Sequence, residues 1–183
     1  MATSDDWADF FDRADDYTGP PLTDAMVTAA EQALGHTLPP SYLRLLRVKN
    51  GGAPKRQCHP TGGTSWSDNH VRVTSIFGIG HARWGIDSED FGSRHLIREG
   101  GFPEVGIIVG LTPTAGHDAI MLDYSECGPR GEPRVILMDA ESGESEVLAP
   151  TFEAFLRGLV DCRPYEEQRE RAMEEFRRRS QRT

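Results

Sequence analysis

Six histidines and three cysteines are the side chains of this sequence best suited to hold a metal or attack a carbonyl, and their spacing prepares neither reaction. His59, His70, His81, His95 and His117 are eleven or more residues apart, and His36 follows a helical pattern. No HxxxH, HExxH or CxxC occurs, so no two ligands are preset on one element. Each histidine therefore reads as structural or exposed, and no metal or cofactor is expected. Cys58 and His59 are adjacent, which sends their side chains to opposite sides of an extended segment. A thiol–imidazole pair built on Cys58 would need a tertiary coincidence. Gly63-Thr64-Ser65-Trp66 has no preceding strand to make a nucleophile elbow. Gly78-Ile79-Gly80 is a fragment of a phosphate loop without its third glycine or its lysine.

The carboxylates divide into two groups. Asp118 and Asp123 bracket an apolar strand five residues apart, so alternation places them on opposite faces and paired acid–base catalysis is poorly served. Asp87, Glu89 and Asp90 follow Trp84 in a loop-like stretch. An aromatic side chain beside a compact acidic group has the composition of an interface able to receive Arg or Lys. With Trp66 and Asp68 of the preceding loop, Trp84, Asp87, Glu89 and Asp90 are the candidate partner contacts.

The elements that would carry these residues are legible from periodicity and punctuation. Trp7, Phe10, Phe11 and Ala14 form a helical stripe capped by Ser4 or Asp5, which predicts a helix over about 5–16. Thr23 caps a second helix with Val27, Ala30, Ala33 and Leu34 on one face, ended by Gly35. Leu38-Pro39-Pro40 stiffens the approach to a short helix carrying Tyr42, Leu45 and Leu46, and Asn50-Gly51-Gly52 stops it. Residues 53–68 read as one long loop. Val71, Val73, Ser75 and Phe77 alternate as a strand, and 107–111, 119–124 and 134–139 are further short strands separated by turn-rich segments. No helix lies between those three to make a parallel crossover. Phe152, Phe155, Leu156 and Leu159 mark a closing helix over about 151–160. The order predicts an α+β domain with a mixed, largely antiparallel twisted sheet flanked by helices.

At 183 residues the chain supports one well-buried core, which assigns 1–160 to a single domain and 161–183 to a charged helical extension. The extension carries Glu–Arg pairs four residues apart in the favourable orientation and only a thin apolar edge. A mean hydropathy of −0.51 and apolar runs far below the roughly 20 residues of a membrane span point away from the bilayer. The acidic start MATSDDWADFFDRADD does not resemble a secretory signal. Three widely spaced cysteines, an odd number, argue against a disulfide framework and fit a reducing compartment, so cytoplasmic residence is expected. The net charge is −9, and residues 161–183, with seven Arg against six acids, leave −10 on the first 160. Such a body repels phosphate and disfavours nucleic acid, while favouring a basic protein partner.

Several of these residues together resemble the SUKH superfamily, in the branch typified by fungal cell-wall-synthesis regulators and many bacterial immunity proteins. The matching positions are Trp7, Glu31, Gly35, Leu38, Pro39, Tyr42, Asn50, Gly51, Gly52, Asp123, Phe152 and Phe155, spread over about residues 5–160. The resemblance implies that these are fold determinants and that the domain lacks a known catalytic centre. In bacteria, proteins of this kind look like antidotes that bind a toxin, often a nuclease or another secreted effector. The expectation is therefore a non-catalytic immunity protein acting on a cognate toxin, with a regulatory scaffold domain as the alternative. A small hydrolase using Cys58 or Ser65 is the rival from the enzyme class. The loop at 53–68, the insert at 83–101 and the charged tail match no family feature.

Overall fold

A computed structural model describes residues 7–13, 16–62 and 69–180. The chain runs α1 (Asp24–Leu34), α2 (Pro40–Val48), β1 (Cys58–Pro60), β2 (His70–Arg72), β3 (Ser75–Ile76), α3 (Ser93–Gly100), β4 (Gly106–Leu111), β5 (Asp118–Asp123), β6 (Arg134–Asp139), β7 (Ser145–Ala149), α4 (Phe152–Gly158) and α5 (Arg163–Ser180). Strands β3 to β7 form a five-stranded antiparallel sheet in sequence order, and β1 pairs with β2 in a separate antiparallel hairpin. The fold is α+β, as expected.

The punctuation works as written in the sequence. The Thr23 hydroxyl accepts from the Met26 amide at 3.3 Å at the start of α1, and Gly35 ends the helix at φ 76°, a conformation that penalises a Cβ. Pro40 opens α2 without an amide to waste. All six residues of β5 are buried because it is the central strand of the sheet. Helix α4 packs on β6, β7 and β1, α2 packs on α4, and α3 packs on β4. The ring of Tyr42 meets Phe152 edge-to-face at 5.0 Å between centroids, and both side chains are fully buried. Such a pair adds about 0.5–1.5 kcal/mol beyond its area burial.

Four expectations are corrected. The helix predicted near the N-terminus is absent from the described part: residues 7–10 make a turn, and Phe11 then bridges Pro54. Trp7 and Phe11 still bury their rings, so the aromatic spacing marked core without marking helix. The backbone here is satisfied by residues 53–55 instead, with the Asp12 amide donating to Ala53 O and the Lys55 amide to Phe10 O. The strand predicted over 71–77 is two strands serving different sheets, because the backbone changes partner between Val73, whose amide donates to Gln57 O, and Thr74, whose amide donates to Leu111 O. The long loop contains β1, whose partner β2 comes from the strand half beyond it. Finally, Cys58 and Cys162 form a disulfide across 104 residues, leaving Cys127 as the free, exposed thiol. An odd count concealed one bonded pair, and the cysteine argument for a reducing compartment falls with it.

Candidate functional site

The insert from Gly80 to α3 is held by its own polar groups. The Asp87 carboxylate accepts from the Gly80 amide at 2.8 Å, and His81 Nδ1 accepts from the Arg83 and Trp84 amides at 3.1 and 2.9 Å. The Ser88 hydroxyl donates to Ala82 O at 2.6 Å and accepts from the Asp90 amide at 3.1 Å. Ser93, at the first position of α3, is buried and accepts from the Ile108 amide, which ties the helix to β4. These bonds fix where the candidate contacts of this loop sit.

Trp84 is half-buried in an aromatic group with Tyr17, Phe77 and Phe91 at centroid distances of 5.5, 6.4 and 5.0 Å. The Arg83 guanidinium lies 4.9 Å from the centroids of both Trp84 and Phe91. Within this loop, then, Trp84 is a packing residue already facing a cation, and Asp87 is a backbone clamp. Glu89 and Asp90 are exposed. Glu89 and Asp87 line a concavity of about 430 Å³ together with Arg94, His95 and Arg98. The face thus mixes both signs of charge. Trp66 and Asp68, together with Ser65, lie outside the described residues.

The larger concavity, about 910 Å³, was not anticipated from sequence. It lies between the start of α5, the β1–β2 hairpin and the turn joining β4 to β5. Asp118 sits among its lining, buried, its carboxylate accepting from the hydroxyls of Thr112 and Thr114. Burial raises the Asp118 pKa, and the two hydroxyls oppose that rise. On the rim His70 stacks on Tyr165 at 4.3 Å, and Arg72 pairs with Glu166 at 3.1 Å. Of its lining, Cys58, His70, Asp118 and Cys162 stood out in the sequence as residue types, and nothing in their spacing joined them.

The histidines are occupied by packing. His59 stacks on Phe155 with Nδ1 2.9 Å from Pro60 O, and burial lowers its pKa. His70 is lowered by burial and then by Arg72. His36 lies against Tyr124, and His117 pairs with Glu141 at 2.7 Å. Among the described residues no group of three His, Cys, Asp or Glu is placed to hold a metal ion. Cys58 spends its sulfur in the disulfide, which removes it as a nucleophile in the oxidised protein. Asp118 and Asp123 sit about 17 Å apart along β5 at the strand rise per residue, each with separate partners.

The remaining sequence-marked residues are joints of the scaffold. Glu31 Oε1 accepts from the Leu38 amide at 2.8 Å, which fastens the α1–α2 connection. The Tyr42 hydroxyl donates to Phe77 O at 2.6 Å. The Asn50 side chain reaches Pro20 and Ile79, and Gly78 passes so close to the Asn50 carbonyl that a Cβ there would overlap it. That close approach accounts for Gly78, while Gly80 stands at φ 73° against Met26. No curated protein matches the chain. The SMI1/KNR4 family (SUKH-1) matches residues 21–158, the stretch that holds these joints, the five-stranded sheet and α4. The chain belongs to the SMI1/KNR4 family.

Proposed function

We propose that this chain is an immunity protein that binds a cognate bacterial toxin stoichiometrically and blocks it without performing a reaction. The observation that carries the reading is membership of the SMI1/KNR4 family over residues 21–158, because the resemblance to that family implies an antidote role for its bacterial members. Two features support it. The first 160 residues hold a charge of −10, which suits a basic partner such as a nuclease that must handle phosphate. The conspicuous histidines are engaged in ring stacks and backbone contacts, so the polar residues left to meet a partner are surface groups such as Glu89 and Asp90.

Binding of this kind works through complementary potential, which raises the association rate and selects the partner. The test is co-expression with the toxin encoded beside this gene. Growth should be rescued, and the two chains should elute together on size exclusion at one-to-one stoichiometry. Absence of both rescue and complex would reject the immunity reading and favour a scaffold that binds a cellular protein.

A further inference from the structure

The extension α5 is joined to the domain in an unusual way. It has no buried residue along its whole length, and Tyr165 alone is half-buried. Among the described residues its contacts with the body include the His70–Tyr165 stack, the Arg72–Glu166 ion pair and a hydrogen bond from Asn69 to Gln168 at 3.2 Å. Solvated contacts of this type contribute little each. The strong attachment is covalent: Cys162 is bonded to Cys58. Its carbonyl also accepts from the Tyr165 and Glu166 amides, so the disulfide grips α5 at its capping residue. The family match ends at residue 158, so both Cys162 and the helix it anchors lie beyond it.

We propose that Cys58 and Cys162 form a reversible thiol–disulfide switch that fixes α5 against the β1–β2 hairpin when oxidised and releases it when reduced. The groove of about 910 Å³ follows the same control, because Tyr165, Glu166, Arg169 and Glu170 of α5 make one of its walls. The two sulfurs stay within reach in either state. Cys58 and Val160 exchange both backbone hydrogen bonds, at 3.1 and 2.7 Å, which holds the chain two residues short of Cys162. Closure joins the two Sγ atoms while a small-molecule disulfide takes the two electrons and two protons and leaves as two thiols. Opening is the reverse exchange. With Cys58 fully buried and Cys162 nearly so, opening waits on fraying of the weakly held start of α5, which admits the attacking thiolate. Once open, the undocked helix uncovers both thiols to the oxidant. The switch needs no protein partner, only the small-molecule disulfide and its thiol.

The experiment uses the full chain, equilibrated in glutathione buffers from fully reducing to fully oxidising. Free thiols are counted, and amide exchange is followed by mass spectrometry. Oxidised protein should show one titratable thiol, Cys127, and reduced protein three. On reduction, exchange at residues 163–170 should accelerate about tenfold or more, while the central strand at 118–123 is unchanged. The variant Cys162→Ser should show the fast exchange in every buffer, and Cys127→Ser should switch like the parent. Three thiols in the oxidising buffer would overturn the proposal. Equal protection of α5 in both states would also overturn it, as would loosening of the central strand together with α5.

Discussion

Asn50 holds Ile79 by both of its backbone groups: the side-chain Nδ2 donates to Ile79 O at 2.7 Å, and Oδ1 accepts from the Ile79 amide at 2.9 Å. One amide side chain thus imitates a strand partner, and its second Nδ2 proton goes to Pro20 O at 2.6 Å. The end of α2, the approach to α1 and the segment after β3 meet at this buried residue. Replacing Asn50 with Ala leaves three backbone groups without their partner, which should cost about 2–4 kcal/mol in urea unfolding. Asn50→Asp should be no better than Ala, since it turns a donor facing two carbonyls into an acceptor. A near-neutral Asn50→Asp would show that water replaces these bonds.

Tyr42→Phe isolates a single bond. The ring stays packed on Phe152, and only the donation to Phe77 O is lost. The expected cost is about 1–2 kcal/mol at neutral pH. Burial raises the Tyr42 pKa well above the ordinary tyrosine value, so the folded state keeps a proton that the unfolded chain releases near pH 10. The parent's stability from this source is complete below that pH and declines as pH rises through it. The Phe variant has no such proton, so the gap between the two unfolding curves should narrow in alkali.

Legibility in the sequence followed whether a signal was local. Thr23, Gly35, Pro39 and Pro40 act on residues three or four positions away, and the structure places the helix ends where they stand. Strands β4, β5 and β6 lie in consecutive positions of a meander, so alternation and turns sufficed. The corrected pairings were non-local. Nothing near Phe11 reveals that its backbone pairs with Pro54, and nothing near Cys58 reveals Cys162. Helix α3 was missed for a local reason: at eight residues it spans barely two turns, with Ser93 and Ile97 as its buried residues, too short a run for its two-sided pattern to stand out. The same limit applied to the candidate site. The composition of Trp84, Asp87, Glu89 and Asp90 was visible, whereas the commitment of Asp87 to Gly80 and of Trp84 to Arg83 depends on the folded loop.

The two ends of β5 should respond to acid in opposite directions. Burial pushes Asp123 up, but the Ser125 bonds and Arg134, whose Nε donates to it at 2.8 Å, outweigh burial and leave its pKa lowered. Its contribution is present above the ordinary Asp value of about 3.9 and is lost as pH falls through the lower folded value. Asp118 is raised, so the folded state favours its protonated form, and stability from this group is lost as pH rises through its folded value. Asp123→Asn should therefore cost about 1–3 kcal/mol at pH 7 and progressively less in strong acid. Asp118→Asn should gain on the parent as pH rises from 3 to 7. Melting curves across that range test both, and parallel pH dependences for the two variants would contradict the assignment.

Trp84 separates stability from recognition in the candidate contact loop. Truncating it to Ala removes a ring packed against Tyr17, Phe77 and Phe91, and should cost about 2–4 kcal/mol. Glu89→Lys and Asp90→Lys alter exposed side chains and should move stability by about 0.5 kcal/mol or less. Loss of binding to the proposed partner in Trp84→Ala therefore reads out recognition only once the variant is shown to be folded, whereas loss in the two charge reversals reports the surface directly. If this face meets a basic partner, the double reversal should slow association, with an effect that shrinks as salt rises and screens the charges. The Arg83 cation stacked on Trp84 makes the converse informative. Arg83→Ala leaves the face more acidic, so it should speed association with a basic partner. If instead it slowed association, the attraction would lie in the cationic half of this surface, and the partner would be acidic.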